Sequence, residues 1–346
     1  MGRRVLVTGL GSFWGARVAL ALEKDPDVDV IVGLDTVEPN VEFDRTEFVR
    51  ADENYSILAR IVHAARIDTV LHTFLHVDST RANQRMVHET NVIGTLNLLA
   101  AATAPGSTVR SVIVKSSTLV YGSNADDPVW FTEDSRRSKP PHTGVERSLL
   151  EVEGYLRDFA HDYPDLSFTV LRFCNVLGPD ITTPLSQALE LPIVPSILGY
   201  DPQMQFVHEE DVVRAILFVL ERELPGVFNV AGDGLPPWSE VARLCGKRMM
   251  PLPPGGTGTA VRALKTLGRV DLPGETVELL RFGRGVDTRR LRRHGFRYEY
   301  TTAGAVHDFW QSVRLRRTVG QVKQTYQYQR DVEAFFRHSP AVVRDE

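Results

Sequence analysis

Val5-Leu6-Val7-Thr8-Gly9-Leu10-Gly11-Ser12-Phe13-Trp14-Gly15 is an apolar run that breaks into glycines, and Val30-Ile31-Val32-Gly33-Leu34-Asp35 is a second apolar run that closes on an acid. In order they read as a strand, a glycine turn, the head of a helix and a second strand. Such a unit is built to hold a dinucleotide. The glycines let the backbone approach a pyrophosphate, and the helix N-terminus offers N–H groups and the positive end of a dipole. Asp35 follows the last glycine at about 20 residues, where a carboxylate accepts from the adenosine ribose hydroxyls.

Outward from this unit, apolar runs alternate with helical patterns. Strands are expected at Phe48-Val49-Arg50-Ala51, Thr69–His72, Ser111–Ser116 and Phe168–Arg172, with helices at Ala16–Leu22, Ile57–Ala65, Asn91–Ala102 and Leu149–Ala160. This alternation predicts an α/β fold, a doubly wound parallel sheet of the Rossmann type covered by helices on both faces. Ligands of such sheets sit at the carboxyl ends of the strands, where Gly9–Gly15, Asp35, His72 and Ser116-Ser117 fall. Residues 1–178, with 206–232 returning to them, are expected to form the dinucleotide-binding domain. Residues 179–205, cut by Pro179, Pro184, Pro192, Pro195 and Pro202, and 233–310 would form a smaller substrate-side domain. Pro251–Gly256 reads as a linker, Ala260–Leu267 as a basic helix, and 311–346, with Tyr326, Tyr328, Phe335 and Phe336, as a peripheral helix and tail.

Composition narrows the function. The 346 residues carry a net charge of −4, with 42% hydrophobic and 24% charged residues. Nothing here calls for nucleic acid or an anionic membrane as partner, and no apolar stretch reaches the ~18 residues of a membrane span. The first strand begins so near Met1 that no signal segment is expected. Cys174 and Cys245 are the only cysteines, and both read as buried or semi-buried thiols of a cytoplasmic protein. The histidines lack metal-ligand spacing, so no metal is expected.

Several segments together resemble the extended short-chain dehydrogenase/reductase family, the NAD-dependent sugar epimerases and dehydratases, and within it an actinobacterial-like branch. They are Val7-Thr8-Gly9 with Gly15; Asp35; Ala51-Asp52; Val70-Leu71-His72; Asn91 to Leu99; Ser116-Ser117-Thr118-Leu119-Val120-Tyr121-Gly122; Arg172 to Pro179; Phe206-Val207-His208 with Asp211-Val212; Phe228-Asn229-Val230; and Asp287-Thr288 through Leu291 with Gly295-Phe296. The resemblance implies that Gly9, Ser12, Phe13, Trp14 and Gly15 turn around the cofactor and that Asp35 holds the adenosine ribose. By the same resemblance Asp52 meets the adenine amino group, Asn91 buttresses the site, and Ser116 lies at the cofactor. Ser117 offers a hydroxyl to a small-molecule substrate. The family also packs two helices per subunit, here about 91–102 and 149–160, into a homodimer. With no Arg or Lys just after Asp35, NAD is favoured over NADP; Arg17, just past the turn, acts against that preference.

The departures from the family pattern bear on catalysis. Ser12 stands where the middle glycine belongs. The Tyr-x-x-x-Lys acid–base pair is missing: aligned on Glu151 its positions hold Thr143 and Arg147, and aligned on Glu153 they hold Val145 and Leu149. A threonine hydroxyl is far less acidic than a phenol near 10. Arg147 can bind a ribose hydroxyl but does not shuttle a proton. Tyr121, His76 and His142 are the candidate replacements, and losing the pair is worth about 10² to 10⁴ in rate. Met204 replaces the arginine that grips a substrate diphosphate in nucleotide-sugar members, leaving Arg281, Arg284, Arg289 and Arg290 to supply one. Three readings follow: an NAD-binding protein with atypical or absent catalysis on a sugar-nucleotide-like or alcohol substrate; an active epimerase, dehydratase or dehydrogenase with another acid/base; and a non-catalytic NAD sensor or scaffold.

Overall fold

In the computed structural model, residues 2–80, 83–254 and 271–319 are described. Seven strands form one parallel sheet: β1 (Arg3–Thr8), β2 (Val28–Asp35), β3 (Thr46–Arg50), β4 (Thr69–His72), β5 (Ser111–Ser117), β7 (Ser167–Phe173) and β11 (Gly226–Val230), with β6 (Trp130–Phe131) outside it. Their spatial order is β11-β7-β5-β4-β1-β2-β3. Chain order reverses between β1 and β4, and that switch point opens a crevice at the strands' carboxyl ends. Val5, Leu6 and Val7 are all buried, as a strand covered on both faces requires.

Helices α1 (Phe13–Leu22), α2 (Tyr55–Ala64), α3 (Gln84–His88), α4 (Thr95–Ala102) and α5 (Gly144–Asp162) flank the sheet. The helix expected over 91–102 is interrupted: Glu89–Gly94 is a π-helical turn between α3 and α4. Helix α5 begins before the expected Leu149, because Thr143 and Glu146 form a reciprocal capping box that satisfies its first N–H groups.

A second, smaller core gathers Leu177, Leu185, Leu189, Val194, Ile197, Met204, Phe206, Trp238, Val241 and Phe309. It is framed by α6 (Pro184–Glu190), the pair β9 (Ile193–Ile197) and β12 (Arg248–Leu252), and the pair β8 (Asn175–Leu177) and β10 (Phe206–His208). From β10 the chain runs through α7 (Glu209–Arg222) to β11 on the main sheet. Val286, Leu291 and Phe296, assigned by sequence to the smaller unit, pack into the large core instead, because Gly285–Val286 pairs with β6. The helix Thr302–Val319 starts before the expected peripheral segment, and Ala305, Val306, Phe309 and Val313 anchor it in the small core. The basic pattern Ala260–Leu267, Gly255-Gly256 of the linker and the tail beyond residue 319 lie outside the described residues.

Candidate cofactor cleft and adjoining cavity

The glycine turn is shaped by two backbone demands. Gly9 has φ +75°, a conformation that other residues adopt only with strain. A Cβ on Gly15 would collide with the Gly9 carbonyl, so α1 starts flush against β1. Ser12 is the N-cap of α1, its Oγ accepting from the Gly15 N–H at 3.1 Å. The serine at the middle-glycine position therefore closes its own helix head, with its hydroxyl hydrogen left to donate. The Phe13 and Trp14 N–H groups have no acceptor within the helix and point an anion-binding end at the crevice.

Asp35 ends β2 beside this turn. Its Oδ2 accepts from the Gly11 N–H at 3.0 Å and its Oδ1 from the Val37 N–H at 3.0 Å. The Thr36 hydroxyl also donates to Oδ1 at 3.5 Å, so these bonds fix the carboxylate and leave a lone pair free on Oδ2. Arg17 points elsewhere: its guanidinium meets Glu209 and Glu210 at 2.5 Å and Asp180 at 3.4 Å. Three carboxylates thus hold the one cation that argued for a 2′-phosphate.

Asp52 is exposed at the end of β3, while its neighbour Glu53 turns inward. The Glu53 carboxylate fills the space that a Cβ on Gly94 would take and lies 3.7 Å from His72 Nδ1. Burial, reinforced by the Asp35 and Asp52 charges against an opposing Thr8 hydroxyl, pushes this carboxyl up to about 8. Burial likewise pushes His72 down to about 3, with Lys115 adding to it. Both groups are neutral at pH 7. The Thr95 hydroxyl donates to the Asn91 carbonyl, so it accepts from His72 Nε2, and His72 Nδ1 accepts from Thr8 Oγ1 at 2.7 Å. Asn91, in the π turn, clamps the loop after β4: its Oδ1 accepts from His76 N–H and its Nδ2 donates to the His76 carbonyl and to Ser148 Oγ.

Alternation along β5 sends Ser116 and Ser117 to opposite faces. Ser116 donates to Glu153 Oε1 at 2.7 Å, and Glu153 also binds Arg172 through both carboxylate oxygens. Arg172 donates in turn to the Tyr121 hydroxyl, which donates to Asn229 Oδ1. Ser117 lines a cavity that lies across the ends of β5 and β7 and encloses about 720 Å³, part of it open to solvent. Trp14, Lys115, Phe173 and Cys174 border it from the main sheet side, and Thr183, Leu185, Glu275 and Leu279 from the small core side. Burial pushes the Cys174 thiol up, out of reach of thiolate chemistry. Arg284, also on the wall, donates to the Gly122 carbonyl at 3.0 Å, and burial pushes it down to about 10, still a cation at neutral pH.

Residues 5–231 match the model of the NAD dependent epimerase/dehydratase family. The chain belongs to that family. It is 34% identical, over 88% of its length and 83% of the other's, to an uncharacterized protein of Mycobacterium tuberculosis. Its fold is that of the UDP-glucose 4-epimerase of Thermotoga maritima solved with UDP-glucose, at TM-score 0.69 and 21% identity over 91% of this chain and 99% of that one. The dTDP-glucose 4,6-dehydratase of Bacillus anthracis solved with NAD is similar at TM-score 0.68 and 18% identity over 92% and 98%.

Within this epimerase/dehydratase-family chain, neither alignment of the Tyr-x-x-x-Lys segment yields the pair. Thr143 spends its hydroxyl oxygen accepting from the Glu146 N–H at the helix cap. Arg147 is exposed on α5 and makes none of the bonds described in the cleft. Val145 and Leu149 are buried in the large core. The candidate replacements fare no better. Tyr121 is buried, stacked on Phe131 and bonded at its hydroxyl to Arg172 and Asn229. His142 is exposed, and His76 is outside the cavity wall. Met204 is a fully buried side chain of the small core. Sequence reasoning missed Lys115, Glu53 and Glu275. The one available signal was Lys115 interrupting an otherwise apolar strand, Val112-Ile113-Val114-Lys115.

Proposed function

We propose that this chain binds NAD in preference to NADP and uses the adjoining cavity for a sugar-nucleotide-like or alcohol ligand, with atypical catalysis. The observation that carries the reading is Asp35, held by the Gly11 and Val37 N–H groups beside the head of α1. Its open Oδ2 lone pair suits a hydroxyl of the adenosine ribose, and its negative charge opposes a 2′-phosphate. The orphan N–H groups of Phe13 and Trp14, with the Ser12 hydroxyl, suit a pyrophosphate. Asp52, exposed past the end of β3, would meet the adenine, and Asn91 and Ser116 would act from behind by shaping the loop after β4 and anchoring α5. Bound there, the dinucleotide supplies a hydride acceptor or donor at its nicotinamide end. Ser117 would donate to the ligand oxygen in the cavity.

The reading of absent catalysis, a sensor or scaffold, draws on Val145 and Leu149 standing in the core where the pair would be. The reading of an active enzyme with another acid/base draws on Lys115, developed below. A homodimer through the helical segments about 91–102 and 149–160 belongs to the same proposal.

Calorimetric titration of the cofactor-stripped protein with NAD and NADP tests the cofactor reading. NAD is expected to bind more tightly than NADP. Asp35→Ala removes charge-assisted hydrogen bonds of about 1.5–3 kcal/mol, so it should weaken NAD binding by roughly 10- to 100-fold. An unchanged affinity in Asp35→Ala would sink the assignment.

A further inference from the structure

Lys115 is a basic residue in the interior of a central strand. It is 5% exposed, its Nζ lies 5.6 Å from the centroid of the Trp14 ring, and it borders the cavity beside Ser117. Residues i and i+2 of a strand share a face, so Lys115 and Ser117 face the cavity side while Ser116 turns to Glu153. Among the described residues no oxygen accepts a hydrogen bond from Lys115 Nζ. An ammonium with three donors buried in this way costs several kcal/mol unless something pairs with it. The facing wall repeats the pattern: Glu275 Oε1 accepts from the Ser79 N–H at 2.8 Å, while its buried Oε2 has no hydrogen-bond partner among the described residues. Among the described residues, one cavity thus holds a donor offset by the Trp14 ring and the Asp78 charge but with no hydrogen-bond acceptor on the sheet side, and an acceptor without a donor on the small-core side.

We propose that Lys115 binds the oxygen of a ligand hydroxyl in this cavity, next to Ser117, and exchanges its proton, in place of the tyrosine that neither alignment of the 143–149 segment supplies. The neutral amine takes the hydroxyl proton: the O–H bond breaks, its electron pair stays on the oxygen, and Nζ becomes an ammonium. In the reverse direction the ammonium returns the proton to that oxygen. Glu275 Oε2 accepts from a second hydroxyl, so the ligand class is a polyhydroxylated, sugar-like molecule. This rests on the cofactor reading above.

The surroundings suit the role. Burial pushes Lys115 down to about 8, with the Asp78 carboxylate opposing, so amine and ammonium coexist near physiological pH, where proton exchange is most effective. Asp78 also lines the cavity wall, where the other titratable groups are Glu275, Arg284 and Cys174, and neutral His72 lies on β4, the strand next to β5.

The test is an NMR titration of the full chain after reductive methylation with 13C-formaldehyde, the Lys115 signal being identified by its loss in Lys115→Met. A midpoint near pH 8 is expected, and a midpoint at the ordinary lysine value of about 10.4 would overturn the proposal. NAD, whose nicotinamide ring is a cation, should lower the Lys115 midpoint by about one unit, and uncharged-ring NADH should not. Where calorimetry shows NAD bound and the Lys115 midpoint does not move, Lys115 is not beside the reacting end and the proposal fails. Where NAD does not bind, the cofactor reading fails, and the cofactor-free midpoint alone decides for or against Lys115. Thermal melting of Lys115→Met separates this from a structural role: an unchanged or higher Tm supports a ligand-directed amine, and a large drop identifies a structural one and overturns the proposal.

Discussion

Glu53 and Lys115 are two titratable side chains drawn off the surface on either side of His72, and the interior acts on them in opposite chemical senses. Burial keeps the carboxyl protonated to about pH 8 and makes the amine easy to deprotonate. For Glu53 this is a statement about stability. An unfolded glutamate releases its proton near 4.3, while the folded one keeps it to about 8. Between those values the unfolded chain binds fewer protons than the folded one, so stability falls as pH rises through the window and levels off above it. The groups facing Glu53 are Asp35, Asp52 and neutral His72, and His72 does not change charge in that window. Glu53→Gln carries no such proton, so its melting temperature should gain on the wild type steadily from about pH 5 to about pH 8.5. A constant offset across that range would show that Glu53 is ionised throughout.

At the scale of elements, α5 is the helix where the family pattern and this chain part. Its first turn is closed by the Thr143–Glu146 box, and Glu146 also meets Arg137 at 3.1 Å. Its middle is tied to the sheet by Glu153, which joins Ser116 on β5 to Arg172 on β7. Two alignments of this segment were open from sequence. The Glu153 pairing orients the helix so that Val145, Leu149 and Val152 enter the core and Arg147 faces out, a choice made by a side chain on a strand far along the chain. Glu153→Gln would leave the Arg172 charge buried without its partner. It should cost about 3–5 kcal/mol of stability, read as a lower midpoint in urea or guanidinium unfolding. A change within a few tenths of a kcal/mol would mean that the pair does not hold α5 in place.

On the scale of the whole molecule, the cavity is a product of two cores. Strand ends of the large sheet supply Lys115 and Ser117, and the segment around Glu275 and Leu279, packed with the small core, closes over them. Among the described residues no helix is long and apolar enough to cross a membrane. Ile93, in the 91–102 segment of the proposed dimer, is 45% exposed. Sedimentation velocity should show a dimer for the wild type and a monomer for Ile93→Asp, since an isologous contact meets the new charge twice. A wild-type monomer at micromolar concentration would refute the interface.

The local signals in the chain were enough for the parallel sheet and the head of the cleft. Val5–Gly15 and Asp35 announce their structure because period, glycine placement and an acid at a strand end are properties of neighbouring residues. The same locality explains why the missing tyrosine and lysine could be read directly from the 143–149 segment. Burial is different, because it depends on what the rest of the chain brings alongside. A lysine in a strand and a glutamate after one look solvated until Trp14, Gly94 and Glu275 arrive from distant segments and remove the water. So it was the sequence alone that determined the family and the fold. Only the tertiary structure decided that Arg17 is held by Glu209, Glu210 and Asp180, that Tyr121 is locked in a buried network, and that Lys115 borders the cavity beside Trp14.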